Sequence, residues 1–224
     1  MEKEKLTYDI IESFLRKELK KTKHIMTWGT IGSLNINHDI DTIITKKPYS
    51  PSADFFKEIH TIFEKLDRYL YNNFKFKLIR FAHSVDEYLI AEYTPERKIM
   101  FHTMVYISFP QIKKDWEWAI DDKESIALIL KRSYNCIYGE VENLFSKDFQ
   151  KEIKFENVFT YLYLYDYLNS NLPRELLIKI MNSCFEYLYK KRLKIENPVA
   201  NNEKEIKKYF YKLCNILDEM NKPK

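Results

Sequence analysis

The chain predicts an α+β fold: a mixed β-sheet with flanking helices, followed by a C-terminal helical bundle. Three observations carry this. Apolar runs with period-two alternation cluster between residues 24 and 108, interleaved with segments of helical apolar spacing. Beyond Trp118, apolar residues read as helices only. Hydrophobic residues make up 45% of the 224, and aromatic residues 16%, which supplies a core rich in Tyr and Phe. The change of character places a domain at 1–118 and a helical domain at 119–224.

Each element has its own local reason. Leu6, Ile10, Ile11, Phe14, Leu15 and Leu19 fall on one face of a helix over 6–20. His24 to Trp28 read as a short strand that ends at Gly29, and Asp39 to Thr45 as a second, closed by Lys46-Lys47-Pro48. After the Pro48–Ser52 loop, Ser52 or Asp54 caps a helix running to about Asn72. Its buried face holds Phe55, Ile59, Ile62, Phe63, Leu66 and Leu70. Three strands follow at Phe74–Ala82, Glu87–Thr94 and Lys98–Ser108, the last two joined as a hairpin by Thr94-Pro95-Glu96-Arg97. In the third, Ile99, Phe101, Thr103, Val105 and Ile107 form the core face. That leaves His102, with Met100, Met104 and Tyr106, on the more open side. Helices are expected at about 122–145, 155–169, 173–194 and 202–220, with breaks at Asn169–Pro173 and Asn197-Pro198.

Composition narrows the function classes. A net charge of +4 neither requires nor excludes nucleic acid. Cys136, Cys184 and Cys214 are far apart and form no CxxC pair, which argues against a disulfide framework or a zinc site and fits a reducing compartment. The start, Met1-Glu2-Lys3-Glu4-Lys5, lacks the apolar core of a signal peptide, and no run approaches a membrane span. A soluble, cytoplasmic protein without a membrane partner is expected.

The chemistry concentrates between Trp28 and Ile44. Two of the three glycines, Gly29 and Gly32, fall here, and Ser33 follows the second. Asp39 and Asp41 then alternate with isoleucine, so a strand presents both carboxylates on one side. Paired carboxylates grip Mg²⁺, which takes hard oxygen ligands and shares them with substrate phosphates. The backbone amides of a Gly-Ser turn, with the Ser33 hydroxyl, can cradle those phosphates. Alone, neither feature is specific. Their order is more so: strand, Gly-Ser turn, strand with Asp-x-Asp, helix, then hairpin.

On Gly32, Ser33, Asp39 and Asp41, in that order, residues 5–110 resemble the DNA polymerase β-like nucleotidyltransferase superfamily. The resemblance implies a nucleotidyltransferase-like sheet with an appended helical domain. It further implies that Asp39 and Asp41 hold Mg²⁺ (or Mn²⁺) and that Gly32 and Ser33 contact the triphosphate. The implied reaction moves a nucleoside monophosphate from an NTP such as ATP to an acceptor hydroxyl, on a small molecule, a protein or an RNA end. The helical domain would wall the cleft or form a homodimer interface. Two departures stand out. Only five residues, Leu34 to His38, separate Gly-Ser from the first Asp. The family's third carboxylate, set in a later strand, is replaced by His102. Three accounts follow: Glu92 supplies the missing oxygen, His102 serves as base, or the domain is a catalytically inactive nucleotide-binding or protein-partner module. Elsewhere, Trp116 and Trp118 read as domain-junction packing, and Tyr161–Tyr167 as a helix-packing interface. The basic runs Arg16–Lys23 and Lys190–Arg192 read as solvated helix faces.

Overall fold

The computed structural model describes residues 5–31, 35–81, 97–106, 135–139 and 194–220, with individual positions between 175 and 190. Its elements are α1 (Tyr8–Leu19), β1 (Ile25–Ile31), β2 (Ile40–Lys46), α2 (Ser52–Phe74), β3 (Lys77–Phe81), β4 (Lys98–Tyr106), β5 (Asn135–Tyr138) and α3 (Glu203–Met220). They form an α+β structure with a mixed five-stranded sheet in the order β3-β4-β2-β1-β5. β1 lies antiparallel to both β2 and β5, whereas β2, β4 and β3 run parallel.

One face of the sheet carries the core. Trp28 of β1 and Phe101 of β4 both pack on Phe63 of α2, with ring centroids 5.1 and 5.3 Å apart. All three are fully buried, so α2 spans the centre of the sheet. Ile11, Leu15 and Leu19 seat α1 on the same core, as their helical spacing requires. The expected core face of β4 is observed: Ile99, Phe101 and Thr103 are buried, while Met100 and His102 are partly exposed. On the far side of α2, α3 packs Phe210 against Phe56 at 5.6 Å. Phe185, at a helical position, meets Tyr209 of α3.

Several boundaries differ from expectation. β1 does not stop at Gly29; it continues to Ile31, and Gly29 lies inside it, paired with Ile43 and Cys136. A register irregularity at Trp28/Gly29 is what the glycine accommodates there. α2 extends to Phe74, and Lys75 closes it in the left-handed conformation (φ 62°), so β3 begins later than expected, at Lys77. Neither Ser52 nor Asp54 caps α2 with its own side chain. Pro51 holds the cap position, and the Asp218 carboxylate of α3 accepts hydrogen bonds from the Ser52 backbone N–H and hydroxyl. The described neighbours of β4 are β2 and β3, both parallel; the expected hairpin partner at 87–94 lies outside the described residues. Within the span expected as a helix at 122–145, residues Asn135–Tyr138 instead form β5 on the edge of the sheet. Gly139 follows at φ 83°, where an added Cβ would meet the Met26 carbonyl oxygen, so only glycine fits. The helix expected at 202–220 is α3; that at 155–169 lies outside the described residues.

Candidate metal centre

The site begins at a turn. The Asn35 side chain accepts the Asn37 N–H, and the Asn35 carbonyl accepts the His38 N–H, each at 3.0 Å. Asparagine favours such turns because its side chain mimics a backbone carbonyl. The turn delivers the chain into β2 with Asp39 exposed just before the strand and Asp41 second within it. The strand expected from Asp39 begins instead at Ile40, so Asp39 is an approach residue to it and not a member. Alternation then sorts β2. Ile40 and Ile44 join the core beneath the helices, and Asp41 points to the opposite face. That face is closed further along, where Ile43 and Thr45 are buried, and opens at Asp41.

β4 supplies the third group. Its parallel register sets His102 directly beside Asp41. Paired residues in adjacent strands share a face, and His102 Nδ1 lies 2.7 Å from Asp41 Oδ1. Their side chains are 26% and 41% exposed, so the pair is accessible from solvent. Asp39, Asp41 and His102 each offer one ligand atom, all within 4.8 Å of one another. Two donors bound to one ion at about 2.1 Å lie about 3 Å apart when adjacent and about 4.2 Å when opposite. Asp41 Oδ1 and His102 Nδ1 are hydrogen-bonded at 2.7 Å, and Asp39 lies near enough for one ion to draw the three groups together. The residues fit a divalent ion.

The structure therefore brings together Asp39, Asp41 and His102. Gly32, Ser33 and Glu92 lie outside the described residues, as do His83, Trp116, Trp118 and the Tyr161–Tyr167 group. His24 and His60 are not part of the cluster, and His60 pairs with Glu64 at 3.3 Å. Arg16 is more than a solvated charge: its guanidinium donates to the carbonyls of Cys136 and Ile137 on the edge strand β5.

Sequence reading missed the support behind the site. On the core side, Asn135, Thr30, Thr42 and Thr103 align in one row across β5, β1, β2 and β4, one residue from the row of Asp41 and His102. The Tyr8 hydroxyl bonds Thr30 Oγ1 at 2.7 Å, and Asn135 donates to Tyr8 and to Glu12. Burial pushes the Tyr8 phenol up, which keeps it neutral and able to donate. This network ties α1 to the end of β1 that pairs with Asp41. Only the strand register reveals it, because its members are far apart in the chain.

No protein-family model matches the chain, and no curated protein matches it. Among the described residues, no helix is long and apolar enough to cross a membrane.

Proposed function

We propose that this chain is a divalent-metal-dependent nucleotidyltransferase of the DNA polymerase β-like kind, acting in the cytoplasm on a nucleoside triphosphate. One observation carries the reading. Beyond the Asp-x-Asp strand, its helix and the edge strand β3, strand β4 returns parallel beside β2 and sets a third side chain able to ligate a metal, His102, against Asp41. The resemblance puts the superfamily's third carboxylate at that place. The mixed sheet, with β1 antiparallel to β2 and a helix crossing behind, agrees with a nucleotidyltransferase-like core.

Asp39 and Asp41 would hold the ion, and Gly32 with Ser33 would take the outer phosphates. A bound divalent ion supplies charge neutralisation on the triphosphate and acidifies the attacking hydroxyl. The acceptor oxygen forms a bond to the α-phosphorus while the bridging P–O bond breaks. Pyrophosphate leaves with that electron pair, and the hydroxyl proton passes to a basic group of the site. The acceptor is a small molecule, a protein side chain or an RNA end, and the helical domain forms its wall or a dimer interface. Asp39→Asn tests this: transfer from labelled triphosphate should fall at least about a hundredfold, a loss typical of removing a transition-state charge partner, with the metal-free melting temperature no lower than that of the wild type. Undiminished transfer would overturn the reading.

The presence of His102 at a carboxylate's place favours one second reading, an inactive nucleotide-binding module. Tight binding of metal-triphosphate without pyrophosphate release would support it.

A further inference from the structure

The donor set at this centre is not the one that Mg²⁺ selects. Mg²⁺ demands oxygen ligands in near-ideal octahedral geometry and surrenders its water reluctantly. Imidazole nitrogen instead suits first-row transition ions, whose affinity for mixed N/O sites rises from Mn²⁺ towards Cu²⁺. Here one of three donors is an imidazole, and its position is built in. Parallel pairing fixes His102 beside Asp41, the row behind it is anchored by Thr103 and Thr42 in the core, and Nδ1 stands 2.7 Å from an Asp41 oxygen. That is a hydrogen-bonding distance, and a bound ion would take the place of the shared proton.

We propose that His102 is a metal ligand, and that Asp39, Asp41 and His102 together take a first-row transition ion, Mn²⁺ or Co²⁺ in the first instance, in preference to Mg²⁺. This rests on the metal-centre part of the functional reading and specifies its ion. It also removes His102 from the role of base, since a nitrogen that holds the ion has no lone pair left for a proton. His102→Asp would restore an all-oxygen set and should move the preference back towards Mg²⁺.

Metal binding alone, without triphosphate, tests this. Calorimetric titrations with MnCl₂, CoCl₂ and MgCl₂ should show the wild type holding Mn²⁺ and Co²⁺ tighter than Mg²⁺ by about tenfold or more. In His102→Asp that ratio should contract by about the same factor, while Asp41→Asn should weaken all three ions together. The Co²⁺-loaded wild type should also show the hyperfine-shifted proton resonances of one coordinated imidazole, a readout needing no variant. Equal affinity for Mg²⁺ and Mn²⁺, an unchanged ratio in His102→Asp, or the absence of a shifted imidazole signal would overturn the proposal. If the ion preference appears but no triphosphate binds, the functional reading fails and the metal assignment stands. If transfer occurs with no such preference, the reverse holds.

Discussion

Cys214 is fully buried on α3, and burial, helped by the nearby Asp218 carboxylate, pushes its thiol well above the ordinary 9.0. Burial likewise raises Tyr189 from 10.0 to about 12, and Tyr8 rises for the same reason. Each of these groups stays protonated in the folded state after the unfolded chain has ionised. The folded state then binds more protons, and stability falls as pH rises. The loss starts at the thiol's ordinary 9.0 and deepens above the phenols' 10.0. Lys46 acts in the other direction. Burial lowers it, so the folded state loses its proton first and regains some stability below 10.5. Among the described residues one lysine opposes one thiol and two phenols, and their net effect is alkaline destabilisation. Urea midpoints between about pH 8 and 11 should decline, and Cys214→Ala, though weaker throughout from its cavity, should delay the onset to the tyrosine range. An onset unchanged in that variant would count against the thiol. At this scale the sequence disclosed the site better than the core. Alternation alone put Asp41 and His102 on open faces, whereas Lys46 reads as a loop-entry charge. It is buried, its ammonium donates to the Ser50 carbonyl, and the charge of Asp218, distant in the chain, acts on it.

Among elements, the junction of α2 and α3 depends on one carboxylate. Asp218 accepts from Ser52 N at 3.0 and 3.1 Å, and from its hydroxyl, where α2 has no capping side chain of its own. A negative group there satisfies amides that the helix leaves open and opposes the positive end of its dipole. Asp218→Ala should cost about 1–2 kcal/mol, the usual range for a lost cap, read as a lowered urea midpoint. Asp218→Asn should recover part of it, and a neutral Asp218→Ala would remove the cap from the account. Such a cap is invisible locally because it comes from the other end of the chain. Elements legible in advance were those whose own period decides them. α2 keeps its apolar face over Phe55, Ile59, Ile62, Phe63, Leu66 and Leu70, and β4 alternates in burial from Lys98 to Thr103. β5 was not legible. It is four residues long, and it exists by pairing with β1 and by the Arg16 bonds to its outer carbonyls. Nothing within Asn135–Tyr138 outweighs the helical spacing around it.

Across the whole molecule, stability and the candidate site occupy opposite sides of the sheet. The aromatic contacts Trp28–Phe63, Phe63–Phe101 and Phe56–Phe210 run from the sheet through α2 to α3. Asp39, Asp41 and His102 lie at the open end of the other face, outside that chain of contacts. Removing the exposed Asp39 carboxylate should therefore cost the fold nothing. With no ion bound, two carboxylates within ligand distance repel each other, an arrangement kept for function at the expense of stability. Asp39→Asn should accordingly melt at or above the wild-type temperature in the presence of a chelator. Added metal should reverse the ranking. An ion that binds only the folded state, at about a hundredfold over its dissociation constant, stabilises by about 2.7 kcal/mol. Titrating MnCl₂ into thermal melts should raise the wild type well above Asp39→Asn, which keeps only two of the three donors. If the variant melts lower without metal, Asp39 belongs to the fold. If both proteins gain equally from Mn²⁺, the ion is held somewhere other than this strand entrance.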